Sequence, residues 1–481
     1  MSRGNKTRRC CPVVVLGLFA AMSLCAGADP AKVPLKPVVE IDEEVYTYEP
    51  SNNGSFPLWT YGSTILARRG DDLFFSATET IPDANPLNCV RWALMKRTKD
   101  GWTVLQRDPK GRTREPSPIV ITDDGRLFMS VNPTLTTPDK RGGPAQPEIL
   151  QFSLGDPSGP FKTLLPAWTT EPKFSDHSYR GLGGDGRTGE LLLVNVEAYR
   201  GQHWVYFDKD GKCANSGLVE FPNIASYKGP IPIRFLYPGV VLRSGAAHVL
   251  TKGGVEDFVK ERVEYRRSKK SKIWGRYHLG YAWSPNIATT PLSKWIYAVD
   301  VSEMAGEVWN CDLWAAANGD CHLLWWEKNL DTRLRPKYFS DKKLVFALKH
   351  GVMREGKMIS QQTLVQGGEG LATNIPYWGR FHVTEDERLF VFTTERSMKD
   401  GKRGGVINQI MEIRPDGTAS QPITVPVAHA FTMLSMTAGQ YGGTFPSHAL
   451  EVVGRCDGLP GTTIRYARIR LVPDKGKPEG K

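Results

Sequence analysis

Six stretches of this chain gather residues that bind anions, stack on sugars or move protons. They are Arg112-Thr113-Arg114-Glu115-Pro116, Asp176-His177-Ser178-Tyr179-Arg180, Arg234-Phe235-Leu236-Tyr237, Trp309-Asn310-Cys311-Asp312, Asn374-Ile375-Pro376-Tyr377-Trp378-Gly379-Arg380, and Tyr441 to His448. Arginine offers a planar fork that matches a carboxylate or sulfate. The aromatic rings offer faces to sugar C–H groups, and His and Tyr can transfer protons. Arg112, Tyr179, Arg180, Trp309, Asn310, Asp312, Asn374, Tyr377, Trp378 and His448 are therefore candidate contacts for an acidic sugar. Each residue type also has a structural reading. His177 can serve a neighbouring turn, and Tyr237 and Tyr377 can be core rings. Arg180, Arg234 and Arg380 can tie repeats together through Asp176, Glu307 or Asp312, and Trp59 and Trp309 can be core rings. His203, His278 and His322 fall inside strands and read as structural.

A repeat places these stretches at equivalent positions. A polar turn followed by a short apolar run recurs at Asp71 to Phe75, Asp124 to Met129, Thr188 to Leu193, Ser244 to Leu250, Asn318 to Leu324, Glu385 to Val391 and His448 to Val453. Leu73, Leu127, Leu191, Val249, Leu323, Leu389 and Leu450 mark the register. Asn318-Gly319 is a strong hairpin signal. Third strands follow, as at Arg91 to Lys96, Glu148 to Leu154, Trp204 to Asp208 and Gln409 to Arg414, and a fourth at Trp102 to Arg107. Such strands cannot bury both faces alone, but sheets stacked around an axis can. The pattern predicts an all-β, seven-bladed β-propeller of four-stranded antiparallel blades over residues 29–473. Val38 to Tyr48 is expected to add an outer strand to the last blade. A pair of β-sandwiches competes; a β-helix has much shorter repeats. The segments leading into each innermost strand would line one funnel, and they are the six stretches above.

The first 28 residues read as an export signal. Arg3, Lys6, Arg8 and Arg9 precede the apolar run Val13 to Leu24, and Ala26-Gly27-Ala28 supplies a cleavage site. Bulky Leu24 before Cys25 argues against lipid attachment. A secreted or periplasmic, soluble, monomeric chain without a membrane span is expected. The 481 residues carry a net charge of +11. That excess is too diffuse for nucleic acid and suits either plain solubility or an anionic glycan. Cys89, Cys213, Cys311, Cys321 and Cys456 are scattered and odd in number, so no disulfide framework is implied. No zinc motif is present, and the sequence requires no cofactor. Residues 255–276 are a basic insertion in the fourth repeat, read as a solvated loop or short helix, or as an arm over the ligand face. Residues 474–481 are expected to be a disordered tail.

On these residues the chain resembles the BNR-repeat, sialidase-like propellers, particularly the branch with secreted polysaccharide lyases and related glycosidases. The resemblance spans nearly the whole mature chain in blade number and rhythm. Its most specific local piece is Asp176-His177-Ser178-Tyr179-Arg180 ahead of Gly189-Glu190-Leu191. The Asp-box S-x-D-x-G-x-T-W is not intact, and Thr98-Lys99-Asp100-Gly101-Trp102-Thr103 is a degenerate echo, which points away from a true sialidase. The resemblance implies an enzyme acting on acidic (uronate- or sulfate-bearing) polysaccharide by β-elimination or hydrolysis. For a lyase it implies His177 as base, Tyr237 as acid, and Arg234 or Arg380 on the carboxylate. A sialidase-like triad would use Arg180, Arg234 and Arg380. A hydrolase would draw on Asp312, Glu115 or His177. The alternatives are a non-catalytic glycan- or protein-binding propeller and, last, a lactonase-like metal hydrolase around Asp312, Asn310 and Asn374. Fold alone does not choose among them.

Overall fold

The computed structural model describes Met1 and residues 33–59, 63–84, 87–109, 111–137, 139–140, 142–399, 402–437 and 445–474. The expected export signal, the tail beyond Asp474 and Tyr441 to Thr444 lie outside them. Lys36–Val472 forms one compact unit.

Within it the chain is nearly all β. Four-stranded antiparallel groups follow one another. One runs through Leu66–Arg69, Asp72–Thr80, Val90–Thr98 and Gly101–Arg107, and the next through Ile119–Ile121, Arg126–Val131, Glu148–Ser153 and Lys162–Leu164. The third runs through Arg180–Asp185, Glu190–Glu197, Gly201–Phe207 and Cys213–Glu220. A continuous path then joins strands from Arg234–Arg243 to Lys357–Gly368. Its two halves, opening at Arg234 and at Glu307, are linked by one parallel bridge between Arg276 and Glu307. A further group opens at Ile375–Val383. In the last, Phe431–Met436, Ala449–Cys456 and Thr463–Pro473 are completed on the outside by Leu35–Thr47.

The marks of the repeat all fall on one kind of strand. Leu73, Leu127, Leu191, Val249, Leu323, Leu389 and Leu450 all lie on the second strand of their groups and all are buried. Their alternation drives each sheet to bury both faces against its neighbours. The opening strands form the inner layer. Leu66–Arg69 packs on Ile119–Ile121, that on Arg180–Asp185, and so on through Arg234–Arg243, Glu307–Ala315, Ile375–Val383 and Phe431–Met436. Thr64 Oγ1 donates to the Met436 carbonyl at 2.6 Å, which links the last group to the first. The N-terminal strand is held to the C-terminal one by Arg465 and Asp42 at 2.6 Å.

One expectation needs correction, and one is narrowed. The stretch that ends at His448 does not lead into an innermost strand, because that strand is Phe431–Met436. His448 stands directly before the second strand, Ala449–Cys456, and Ser447 N–H donates to the Val383 carbonyl at the far end of Ile375–Val383. The basic insertion forms the short helix of the first reading, Lys260–Ser268, rather than a free arm, and it turns two of its arginines inward. Arg266 is buried between Asp257 at 2.8 Å and Asp331 at 2.5 Å, and Arg262 donates to the Ser302 carbonyl. A buried guanidinium with two carboxylates folds the insertion onto the next group's loops.

Candidate functional site

In an antiparallel group, the starts of strands one and three share an edge with the ends of strands two and four. Residues at the start of each opening strand therefore meet on one face. The turn before Arg180 sets the first of them. Ser175 Oγ accepts from the His177 N–H, and Ser178 Oγ accepts from the Ser175 N–H. Asp176 accepts from the Gly143 N–H at 3.0 Å. This turn leaves His177 at the rim and tucks Tyr179 inside.

Although His177 is exposed at the rim, its Nε2 edge faces protein. Nε2 meets the Tyr179 hydroxyl and lies 3.3 Å from Arg114 Nη1. Both partners donate, so Nε2 is bare and the ring proton sits on Nδ1. The protein packed around the ring, and then the charge of Arg114, push the His177 pKa down to about 4 against the pull of Asp176. The imidazole is thus neutral at neutral pH and able to accept a proton.

Tyr179 connects inward. Its ring lies 3.9 Å from that of Tyr237, centroid to centroid, and Tyr237 hydrogen-bonds its hydroxyl. Burial and then Glu115 raise the Tyr179 pKa, while the Tyr237 and Arg114 hydrogen bonds oppose them. Tyr237 sits at φ +61° beside a break in strand register, a conformation costly for a bulky residue. Asn310 Nδ2 holds its carbonyl at 2.9 Å. Trp59 stacks on Tyr237 at 6.0 Å, and Arg114 lies over Trp59 at 5.2 Å. Beneath them Arg114 pairs with Glu115, whose carboxyl burial pushes up to about 7 despite that partner and Arg180. The space lined by Trp59, Glu115, Tyr179, Arg180 and Tyr237 has about 10 Å³ for water centres, enough for one water and too little for a sugar. A sugar would lie above, at the level of His177.

Lys252 completes the floor and was not among the sequence candidates. Its ammonium nitrogen lies 4.4 Å from the centre of the Tyr237 ring and 2.8 Å from that of Trp309. Burial, then Arg276, lower its pKa far below the usual lysine value, with Glu307 opposing. The available signal was one cation inside the buried strand Ala246–Glu256. Arg234 opens the neighbouring strand. Its Nε donates to the Ala198 carbonyl at 3.0 Å, its guanidinium lies 4.2 Å over Tyr199, and its charge helps depress the His177 pKa.

The structure thus brings His177, Tyr179, Arg234, Tyr237, Trp309 and Asn310 together, and places the other candidates differently. Arg180 is buried and donates to the carbonyls of Ser130 and Pro116. Arg380 and Asp312 are each 2% exposed and paired at 3.2 Å, with Arg380 also donating to the Cys311 carbonyl. Neither arginine is open to a substrate, so a triad with Arg234 does not form: both are ties between neighbouring strands. Arg112 is buried at φ +79° and donates to Thr136. Asn374 bonds Glu395 and the Met398 N–H, exposed Tyr377 accepts from Arg396, and Trp378 packs beside Phe381. His448 lies 3.6 Å from Asp386, in the hairpin at the opposite edge of its neighbour, and does not reach the His177 face. Among the described residues, no three His, Cys, Asp or Glu side chains gather as metal ligands.

No protein-family model matches the chain, and no curated protein does. Among solved structures it is similar to the polysaccharide lyase Uly1, at 12% identity and TM-score 0.53, over 91% of this chain and 100% of that one. Weaker similarities include Penicillium chrysogenum α-L-arabinanase, at 10% identity and TM-score 0.40, covering 91% and 98% of the two chains. The α-L-arabinofuranosidase Arb93A from Fusarium graminearum gives 11% and 0.41, covering 89% and 97%. At such identities the first of these likenesses shows the fold, a β-propeller.

Proposed function

We propose that this chain is an exported, seven-bladed β-propeller that cleaves acidic, uronate- or sulfate-bearing polysaccharide by β-elimination. The mature propeller is taken to span residues 29–473. The blade count treats the long strand path as two blades, because the strand pairing between its halves is limited to the Arg276–Glu307 bridge. The observation that carries the reaction is the contact of His177 Nε2 with the Tyr179 hydroxyl and Arg114, beside the half-exposed Arg234.

In this reading Arg234 takes the uronate carboxylate and stabilises the negative charge that develops beside it. The Tyr179 oxygen removes the proton at C5 as its own proton passes to His177 Nε2. Arg114, donating to that oxygen, favours its ionised form. The C4–O bond breaks, the C5 electron pair forms the C4=C5 double bond, and the leaving oxygen is protonated from the Tyr237–Tyr179 chain. Tyr179 thus stands between the two residues that the sequence cast as base and acid. The likeness in fold to a polysaccharide lyase supports this reading.

The test is to incubate the protein with a panel of uronate polysaccharides and follow the ultraviolet absorbance of an unsaturated uronate. A rise supports elimination. New reducing ends without that absorbance would show hydrolysis, and binding without either would show a non-catalytic glycan binder.

A further inference from the structure

Outward from His177, the same face carries, beside Arg234, aromatic rings and a further arginine that the proposed chemistry does not use. Tyr199 lies between the second and third strands of the group opening at Arg180, and it is 58% exposed. Trp274 begins the third strand of the next group and is 40% exposed. Arg234 sits between them, 4.2 Å from the Tyr199 ring centre and 5.9 Å from that of Trp274. Arg276, two residues on from Trp274, lies 4.6 Å from the centre of the Trp309 ring. Arg276 also pairs with Glu307 at 2.8 Å, yet its side chain is 46% exposed.

Strand polarity explains why these residues share a face. Arg234 starts a first strand, Trp274 and Arg276 start a third, and Tyr199 follows the end of a second. A first strand is inner and a third is farther out, so the row leads from the His177 centre towards the rim. Each ring here is flanked by a guanidinium, and that alternation matches a chain of sugar rings bearing acid groups. Apolar sugar faces would cover Tyr199 and Trp274, and carboxylates would meet Arg234 and Arg276.

We propose that Tyr199, Trp274 and Arg276 extend the centre outward from Arg234 as a row of subsites for a longer uronate polysaccharide, along the edges of the groups that open at Arg180 and Arg234. The inference rests on reading the His177 centre as an acidic-glycan site. It adds that the enzyme grips several residues of a polymer rather than a chain end alone.

The test is binding, separated from turnover. Affinity electrophoresis in polygalacturonate, in alginate and in neutral dextran is run on the native chain, on His177→Ala so that no polymer is cut, and on Tyr199→Ala and Trp274→Ala. Retardation by an acidic polymer but not by dextran is expected, weakening as salt rises. Tyr199→Ala and Trp274→Ala should each weaken polymer binding about tenfold. Both should weaken polymer binding more than the affinity for a uronate dimer at the centre, and Trp274→Phe should recover most of the loss. Both residues are exposed, so unchanged melting temperatures are expected to accompany the loss. Native-like polymer binding by both alanine variants, equal loss for polymer and dimer, or no preference for acidic polymer overturns the row of subsites. Turnover with native-like polymer binding in the variants sinks the row and spares the elimination reading. Variant-sensitive binding without turnover sinks elimination and spares the row.

Discussion

The hydroxyl of Tyr179 lies in hydrogen-bonding contact with Nε2 of His177, and the two rings meet edge to face with centroids 5.0 Å apart. The pair is two residues apart in sequence, yet one member is at the rim and the other is buried. A proton can pass between the rim imidazole and the largely buried phenol without either side chain moving.

Replacing His177 tests that pair. His177→Ala should lower turnover by about 10²–10⁴-fold, the range for losing a general acid–base group. Its exposed position predicts a stability change within about 1–2 kcal/mol. Ultraviolet turnover assays and urea unfolding on the same preparation check both. Unfolding of the variant, or retained turnover, would refute the assignment.

The rate should fall on the acid side as His177 protonates near its pKa of about 4. A plot of kcat/KM against pH should show an acid limb close to that value, displaced from the ordinary histidine range of about 6.5. An acid limb at an ordinary histidine pKa would mean that Nε2 is not enclosed as described.

Stability should also decline early in acid. Burial lowers His248, His322 and His382 to about 4 and His350 to about 3. A histidine with a depressed folded pKa binds its proton first in the unfolded chain. Its contribution is complete above the unfolded value of about 6.5 and is lost as pH falls towards the folded value. Urea midpoints should therefore drop between about pH 6.5 and 4, before most carboxylates titrate. A flat midpoint across that window would contradict neutral burial of these rings.

Arg380 should behave as a structural tie. Arg380→Ala leaves Asp312 buried without its guanidinium and should cost about 3–5 kcal/mol in urea unfolding. The affinity of the folded fraction for acidic sugar should match the native protein's. Weakened acidic-sugar binding with unchanged stability would place Arg380 in the site after all.

Arg234, Arg180 and Arg380 show where sequence stops being informative. All three stand at or in opening strands, and in sequence all three are equally fit to bind a carboxylate. The sequence by itself determined the strand repeat, because alternation and hairpin turns are local. It thereby placed Leu73 through Leu450 on second strands and Asp176–Arg180 and Arg234–Tyr237 on one edge. It also indicated the outer strand near Val38, which the last group takes up as Leu35–Thr47. His448 was misplaced because it stands before the second strand of the last group, Ala449–Cys456, so its turn resembles an opening segment only locally. Tertiary structure alone decided which cations are spent. Arg180 meets Ser130 and Pro116, Arg380 meets Asp312, and Lys252 meets Trp309, each across a long stretch of chain. Those partners come from neighbouring sheets, and only ring packing sets the burial and charge that separate a tie from an open guanidinium.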